Sequence, residues 1–270
     1  MIKIPFTKAH GAHNDFLLTW SDQAPVDERD QIAQQICERH TGIGADGWML
    51  MTRSDGRDEH VAIELYNSDG SRSEISGNGT RCVAALMVHD GVASVEVRVR
   101  TGAGIKRLDL ISASENAFEF EMNMGAPRYN EGEIHRNLTA VGASFDVTIL
   151  NVGNPQCVVF VKDFEFDWRS AGAAIERHEW FPRRTNVSFV RAADRNTVEV
   201  RFWERGAGET MSSGTGSTGA AFAAILRGVV NPPIRIQTPA GALDFRLQGD
   251  EGFLKGPAEL TGAGEYYLRR

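Results

Sequence analysis

Short runs rich in β-branched and aromatic residues recur along the chain, bounded by glycine, proline, asparagine and serine. They predict strands at Phe16–Trp20 and Val61–Tyr66. Later runs predict strands over Thr148–Val161, broken at Gly153-Asn154-Pro155, and over Thr197–Trp203. Two alanine-rich stretches, Arg81–His89 and Gly219–Arg227, each follow a glycine-rich loop. They are apolar on most faces, which predicts buried helices. Asp27–His40, acidic at its start, and Trp168–Arg177 read as further helices. Gly125-Ala126-Pro127 breaks the pattern and marks a boundary within residues 122–129.

The pattern also repeats. Ser76-Gly77-Asn78-Gly79 and the later Ala84 match Ser213-Gly214-Thr215-Gly216 and Ala221, an offset of 137 positions (76 to 213). That offset also carries Thr101, Ala103 and Gly104 onto Thr238, Ala240 and Gly241, and Val97-Arg98-Val99 onto Ile234-Arg235-Ile236. Asn14-Asp15-Phe16-Leu17-Leu18 resembles Asn154-Pro155-Gln156-Cys157-Val158 at a slightly different offset. A period this long is too great for a solenoid and suits two related domains.

Composition narrows the function. At 270 residues, with 41% hydrophobic and 24% charged, the chain can bury a core without disulfides or metals. A net charge of -7 argues against a basic nucleic-acid-binding surface. Three cysteines far apart, Cys37, Cys82 and Cys157, imply no disulfide framework. The amino terminus lacks the apolar segment of a signal peptide, and no 18-residue apolar run exists. The expectation is a cytoplasmic protein that binds neither membrane nor nucleic acid.

Two similar loops each open a buried helix. Helix amino termini present unpaired N–H groups and partial positive charge, and glycine lets a ligand approach closely. Each loop is therefore either a carboxylate or phosphate cradle or an ordinary helix cap. Asn67-Ser68-Asp69-Gly70-Ser71 forms a polar cluster, explained equally by a turn. Glu204-Arg205-Gly206-Ala207-Gly208-Glu209-Thr210 forms a second, in which Arg205 could clamp a carboxylate.

These motifs lead to a family. The relevant residues are Phe6-Thr7-Lys8, Gly11 and Asn14-Asp15-Phe16; Gly42-Ile43-Gly44-Ala45-Asp46; Asn67 with Asp69-Gly70-Ser71; and Gly77-Asn78-Gly79 with Arg81-Cys82. Gly153-Asn154-Pro155, Asn186-Val187, the 204–210 segment, Gly214-Thr215-Gly216 and Gly256-Pro257-Ala258 continue the series. In this order and spacing the chain resembles the diaminopimelate epimerase family over almost its whole length. The resemblance implies an α+β fold of two pseudo-symmetric lobes, each a mixed β-sheet or barrel wrapped around a central helix. The lobes would be residues 1–122, joined by a C-terminal strand at about 264–270, and residues 123–263, with the active site between them. It further implies cofactor-independent inversion at an amino-acid Cα, here LL- to meso-diaminopimelate, with no metal. Asn14, Asn67, Asn154, Asn186, Glu204 and Arg205 would hold the distal end of an amino acid bearing carboxylates. The amides of Gly77, Asn78, Gly214 and Thr215 would hold its α-carboxylate. A homodimer is typical of such relatives, and Tyr266-Tyr267 could serve it.

One departure bears on the chemistry. Where the family carries its two catalytic cysteines, this chain has Ser76 and Ser213. A thiol is within reach of pKa tuning, whereas a serine hydroxyl needs an adjacent base. Three accounts stand open on the sequence: an engineered Cys→Ser pair in an epimerase, a related isomerase or dehydratase with a different base, and an amino-acid-binding protein without turnover. Gly47 and Gln156 stand where relatives often carry Gln and His, which loosens the assignment to diaminopimelate itself.

Rival motifs are weaker. Gly214-Thr215-Gly216-Ser217-Thr218-Gly219 matches a dinucleotide fingerprint, but a ten-residue loop separates it from the strand ending at Trp203. His10 and His13 lack an acidic or cysteine partner at metal-ligand spacing.

Overall fold

The computed structural model describes residues 1–54 and 58–268. Its contacts divide the chain into two compact units, Met1–Met122 with Gly256–Arg270, and Asn123–Lys255.

In the first unit, β1 (Ile2–Gly11) and β2 (Asn14–Trp20) form a hairpin. Helix α1 (Arg29–Cys37) crosses over to β3 (Gly47–Arg53), which runs parallel to β2. β3 pairs antiparallel with β4 (Val61–Asn67), and β4 with the two-residue β5 (Arg72–Ser73). Helix α2 (Gly77–His89) is the second crossover, leading to β6 (Glu96–Thr101), which runs parallel to β4. β7 (Gly104–Ser114) and β8 (Ala117–Gly125) complete a meander.

In the second unit, β9 (Arg136–Ala140), β10 (Ala143–Asn151) and β11 (Pro155–Phe160) are successive antiparallel partners. Helix α3 (Trp168–Glu176) crosses to β12 (Asn186–Ala192), parallel to β11. β13 (Thr197–Glu204) and β14 (Gly208–Thr210) follow antiparallel. Helix α4 (Gly214–Leu226) crosses to β15 (Ile234–Thr238), parallel to β13, and β16 (Gly241–Gln248) returns antiparallel.

The long β17 (Glu251–Leu268) serves both units. Its first residues pair with β16, and its later ones with β1. β8 also pairs with β17, so β1, β2, β3, β4, β6, β7, β8 and β17 close into a barrel. Closure removes the unpaired strand edges that invite aggregation. The second unit repeats the same order of hairpin, helical crossover and antiparallel return, as the sequence duplication predicts.

Each barrel-type sheet needs apolar filling, and the alanine-rich helices supply it. α2 is buried from Gly77 through Met87, and α4 from Gly214 through Ala224. Both are 13 residues long and begin four or five residues before the apolar stretches that predicted them. Their first turns, Gly-Asn-Gly-Thr and Gly-Thr-Gly-Ser, carry no hydrophobic period; Ser76 and Ser213 cap them by accepting from the Gly79 and Gly216 amides, each at 3.1 Å. α1 and α3 pack outside the sheets. Ile32, Ala33 and Ile36 meet Leu17, Trp48 and Leu50, while Ala171 and Ile175 meet Val159 and Phe189. α1 stops at Cys37, short of the predicted His40, because Glu38 turns extended and its carboxylate accepts from the His40 and Thr41 amides.

Candidate active site

Each unit holds one capped helix opening of the kind the sequence marks as a candidate cradle. In the first, Ser76 caps α2, and the amides of Gly77 and Asn78 occupy the first two helical positions. The β1–β2 turn presses against this end: a Cβ on Gly11 would lie 3.0 Å from the Asn78 carbonyl oxygen and 3.1 Å from its Cα. Ala12 and His13, at the corner of that turn, hold positive φ of 49° and 63°, a conformation normally left to glycine.

The Asn78 side chain is set from both sides. A guanidinium only donates, so the Asn78 Oδ1 faces Arg81 Nη2. The Asn78 Nδ2 then donates to Asn14 Oδ1 at 3.2 Å, and Asn14 Nδ2 donates to Asp46 Oδ2 at 2.7 Å. A cation at one end and a carboxylate at the other thus fix the direction of two amides.

Asp46 shares Arg39 with Asp15, both at 2.8 Å, and Lys8 lies 3.1 Å from Asp15. Burial alone would raise the Asp15 carboxyl, but its bonds to Arg39 and Lys8 outweigh that and hold it below the ordinary range. Asp46 is raised by burial and by Asp15 beside it. Asn67 stands apart from this relay: at the end of β4, its Nδ2 donates to Ser71 Oγ at 3.0 Å.

In the second unit, Ser213 caps α4, with Gly214 and Thr215 at the first two helical positions. Here the hydroxyl has a base. Ser213 Oγ donates to Glu204 Oε2 at 2.7 Å, and Thr210 Oγ1 donates to Glu204 Oε1, also at 2.7 Å. Ser213 is buried and Glu204 half-buried. Ser76, by contrast, has the Gly79 cap bond and no carboxylate on its hydroxyl among the described residues.

Polar side chains hold the second cradle in place. Asn154 Nδ2 donates to Thr215 Oγ1 at 3.1 Å, and its Oδ1 accepts from Gln156 Nε2 at 2.7 Å. Asn186 accepts from the Arg205 amide at 2.9 Å and donates to the Pro155 carbonyl at 3.2 Å. Buried Glu176 accepts from Trp203 Nε1 at 3.2 Å and from the Gly206 amide at 3.1 Å, bracketing Glu204 and Arg205. The Arg205 guanidinium reaches the Arg183 carbonyl at 3.4 Å.

Sequence reasoning named Ser213 and Glu204 but gave them separate tasks, hydroxyl and distal-end ligand; the structure joins them by a hydrogen bond. It passed over Glu176, which lies 28 positions before Glu204 (176 to 204) and carries no motif signal. The three thiols do not enter either cradle's hydrogen bonding: burial raises Cys37 and Cys82 to about 12 and Cys157 further still. No group of three or more metal-ligating side chains occurs among the described residues.

The family model for diaminopimelate epimerase matches residues 6–130 and 148–261. This chain belongs to the diaminopimelate epimerase family. It is an isomerase of the epimerase type. The diaminopimelate epimerase of Pelotomaculum thermopropionicum is 37% identical over 279 residues, covering 98% of this chain and 99% of that protein. The diaminopimelate epimerase of Desulforudis audaxviator is 36% identical over 276 residues, covering 97% and 98%. Among solved structures, a probable proline racemase from Agrobacterium radiobacter matches with TM-score 0.80 at 14% identity, covering 98% of this chain and 93% of that one. A hydroxyproline epimerase from Agrobacterium vitis matches with TM-score 0.77 at 15% identity, covering 98% and 92%. At such identities these two establish the shared fold. It is the diaminopimelate epimerase-like fold.

Proposed function

We propose that this protein moves the Cα proton of an amino acid bearing two carboxylates, without a cofactor, and that diaminopimelate is its substrate. The observation that carries this reading is the 2.7 Å bond from Ser213 Oγ to Glu204 at the capped end of α4. Removing the Cα proton leaves charge on the α-carboxylate as an enediolate. Capped helix amides such as those of Gly77 and Asn78, or of Gly214 and Thr215, are donors suited to that charge.

Ser213 takes the proton from Cα while its own hydroxyl proton passes to Glu204. The carboxylate is the acceptor in this relay, so Ser213 itself need not become a free alkoxide. Inversion needs a second carrier, and Ser76 is the group assigned to it; the alkoxide left when Ser76 gives up its proton is reprotonated by water. The distal carboxylate and amine of the substrate fall to Asn14, Asn67, Asn154, Asn186 and Arg205. Glu204, assigned to that end by the resemblance, is here given to the proton instead.

A second reading has one observation in its favour: Ser76 lacks the base that Ser213 has. A one-sided site would exchange the Cα proton without inverting it, or would shift a double bond or expel a leaving group. Incubating the protein with LL-diaminopimelate in D2O separates the two. Deuterium in both LL and meso isomers supports epimerisation; deuterium in LL alone, or a product of new mass, supports the one-sided site. Neither deuterium nor product would overturn both readings.

A further inference from the structure

Arg81 is an anomaly of charge. Its side chain is 0% exposed, yet no carboxylate pairs with it among the described residues. Nε donates to the Pro257 carbonyl at 3.1 Å, Nη2 donates to Asn78 Oδ1, and Nη1 has no partner. Burial pushes the guanidinium down to about 10, which still leaves it charged at neutrality. It is also on the unfavourable end of its helix: Arg81 is the fifth residue of α2, near the positive pole of the helix dipole. Buried cations are ordinarily paired, because an unpaired one forfeits hydration and gains nothing in return. Nor does shape require a charge here, since a long apolar side chain of similar volume would fill the same space.

The geometry points to a counter-ion that arrives with the ligand: we propose that the anion bound at the α2 amino terminus supplies the missing charge for Arg81. The guanidinium reaches the side chain of Asn78, the second residue of α2. It holds Asn78, whose backbone N–H is one of the two cradle amides, and orients Asn78 and Asn14 through the relay to Asp46. Arg81 is thus a positioning residue that also adds a fixed positive charge behind the amides. It favours a carboxylate over a neutral ligand, and an enediolate, which concentrates more charge on the same oxygens, over the ground state. This rests on the reading of the cradle as a carboxylate site, and its test is built to fail separately from the diaminopimelate assignment.

The first arm measures affinity for meso-diaminopimelate and for its α-carboxamide in the full-length protein and in Arg81→Met. The preference for carboxylate over carboxamide should shrink about tenfold in the variant, the scale of one screened charge. Equal weakening of both ligands would overturn the proposal and leave Arg81 a packing residue. The second arm covers a variant that does not fold, or a substrate other than diaminopimelate. In the unaltered protein, the Arg81 guanidinium 15N resonances, assigned with Arg81→Lys, should shift on addition of acetate and not of acetamide at matched ionic strength. Identical responses to the two probes would overturn the proposal whatever the true substrate.

Discussion

Ser76 and Ser213 occupy equivalent caps yet differ in what surrounds them. Glu204 stands on the Ser213 hydroxyl, while among the described residues the Ser76 hydroxyl meets the Gly79 amide and no carboxylate. In the proposed two-sided reaction, Ser76 is the slower carrier. Replacing both by cysteine, Ser76→Cys with Ser213→Cys, should raise epimerisation of diaminopimelate by orders of magnitude. A thiol at a helix amino terminus ionises far more readily than a hydroxyl. Ser76→Cys alone should give the larger of the two single gains, and neither single replacement should match the pair, because each face needs its own carrier; isomer analysis by chiral chromatography reads the difference. Full activity from one replacement would contradict this assignment.

The Arg39 cluster gives a residue-scale test in pH. Arg39 bonds Asp15 and Asp46 and, with Lys8, keeps Asp15 below the ordinary carboxylate range. A depressed carboxyl contributes stability above its unfolded pKa and loses that contribution as pH falls through the folded value. Arg39→Ala should accordingly cost about 1 kcal/mol near pH 7, a figure kept low because Arg39 is largely solvent-exposed. The difference from the parent should narrow below about pH 4, where Asp15 is protonated in the unfolded chain. Urea melts at both pH values check the trend; a constant difference would show that Arg39 acts by packing.

At the scale of elements, the β1–β2 turn and the start of α2 form a matched pair. Gly11→Ala would place a Cβ against rigid backbone of Asn78, at 3.0 Å from its carbonyl oxygen. The turn must then move off the helix, stretching the Asn14–Asn78 bond. We expect a stability loss of about 1–3 kcal/mol, as for other overpacked sites. Activity should fall beyond what the lost folded fraction explains, as read by kcat/KM on samples matched for circular dichroism.

The elements were legible where the hydrophobic period is strong. β2, β4 and β13 carry β-branched or aromatic runs, and the duplication around Ser76 and Ser213 marked both central helices. The opening turns of α2 and α4 were not legible as helix, because Gly-Asn-Gly-Thr and Gly-Thr-Gly-Ser have low helix propensity and are carried by caps and burial instead. The relay through Arg81, Asn78, Asn14 and Asp46 was hidden for another reason. Asn14 lies 64 positions from Asn78 and 32 from Asp46, and only the closed sheet brings them together.

At the scale of the whole molecule, the chain closes its first unit with its last strand. β1 pairs with the later part of β17, from Ile2 against Leu268 to His10 against Glu259. Residues 1–122 therefore wait for residues 256–270 before their barrel is complete. Ending the chain after Lys255 should strip β1 of that partner while leaving the second unit's own pairings intact. Hydrogen exchange should then show lost protection in β1, β2 and α2, with protection in β12, β13 and α4 retained. Equal loss in both units would show that they fold as one cooperative block.

The proposed carrier of the Cα proton is the Ser213–Glu204 pair. Solvent deuterium uptake into diaminopimelate, compared between the protein and Glu204→Gln, tests it most directly. Glutamine can still accept the Ser213 hydrogen bond through its oxygen but is not basic enough to take the proton. Uptake should fall by about 10²–10⁴-fold with folding unchanged, the usual weight of a general base. Uptake at the parent rate in Glu204→Gln would contradict the account.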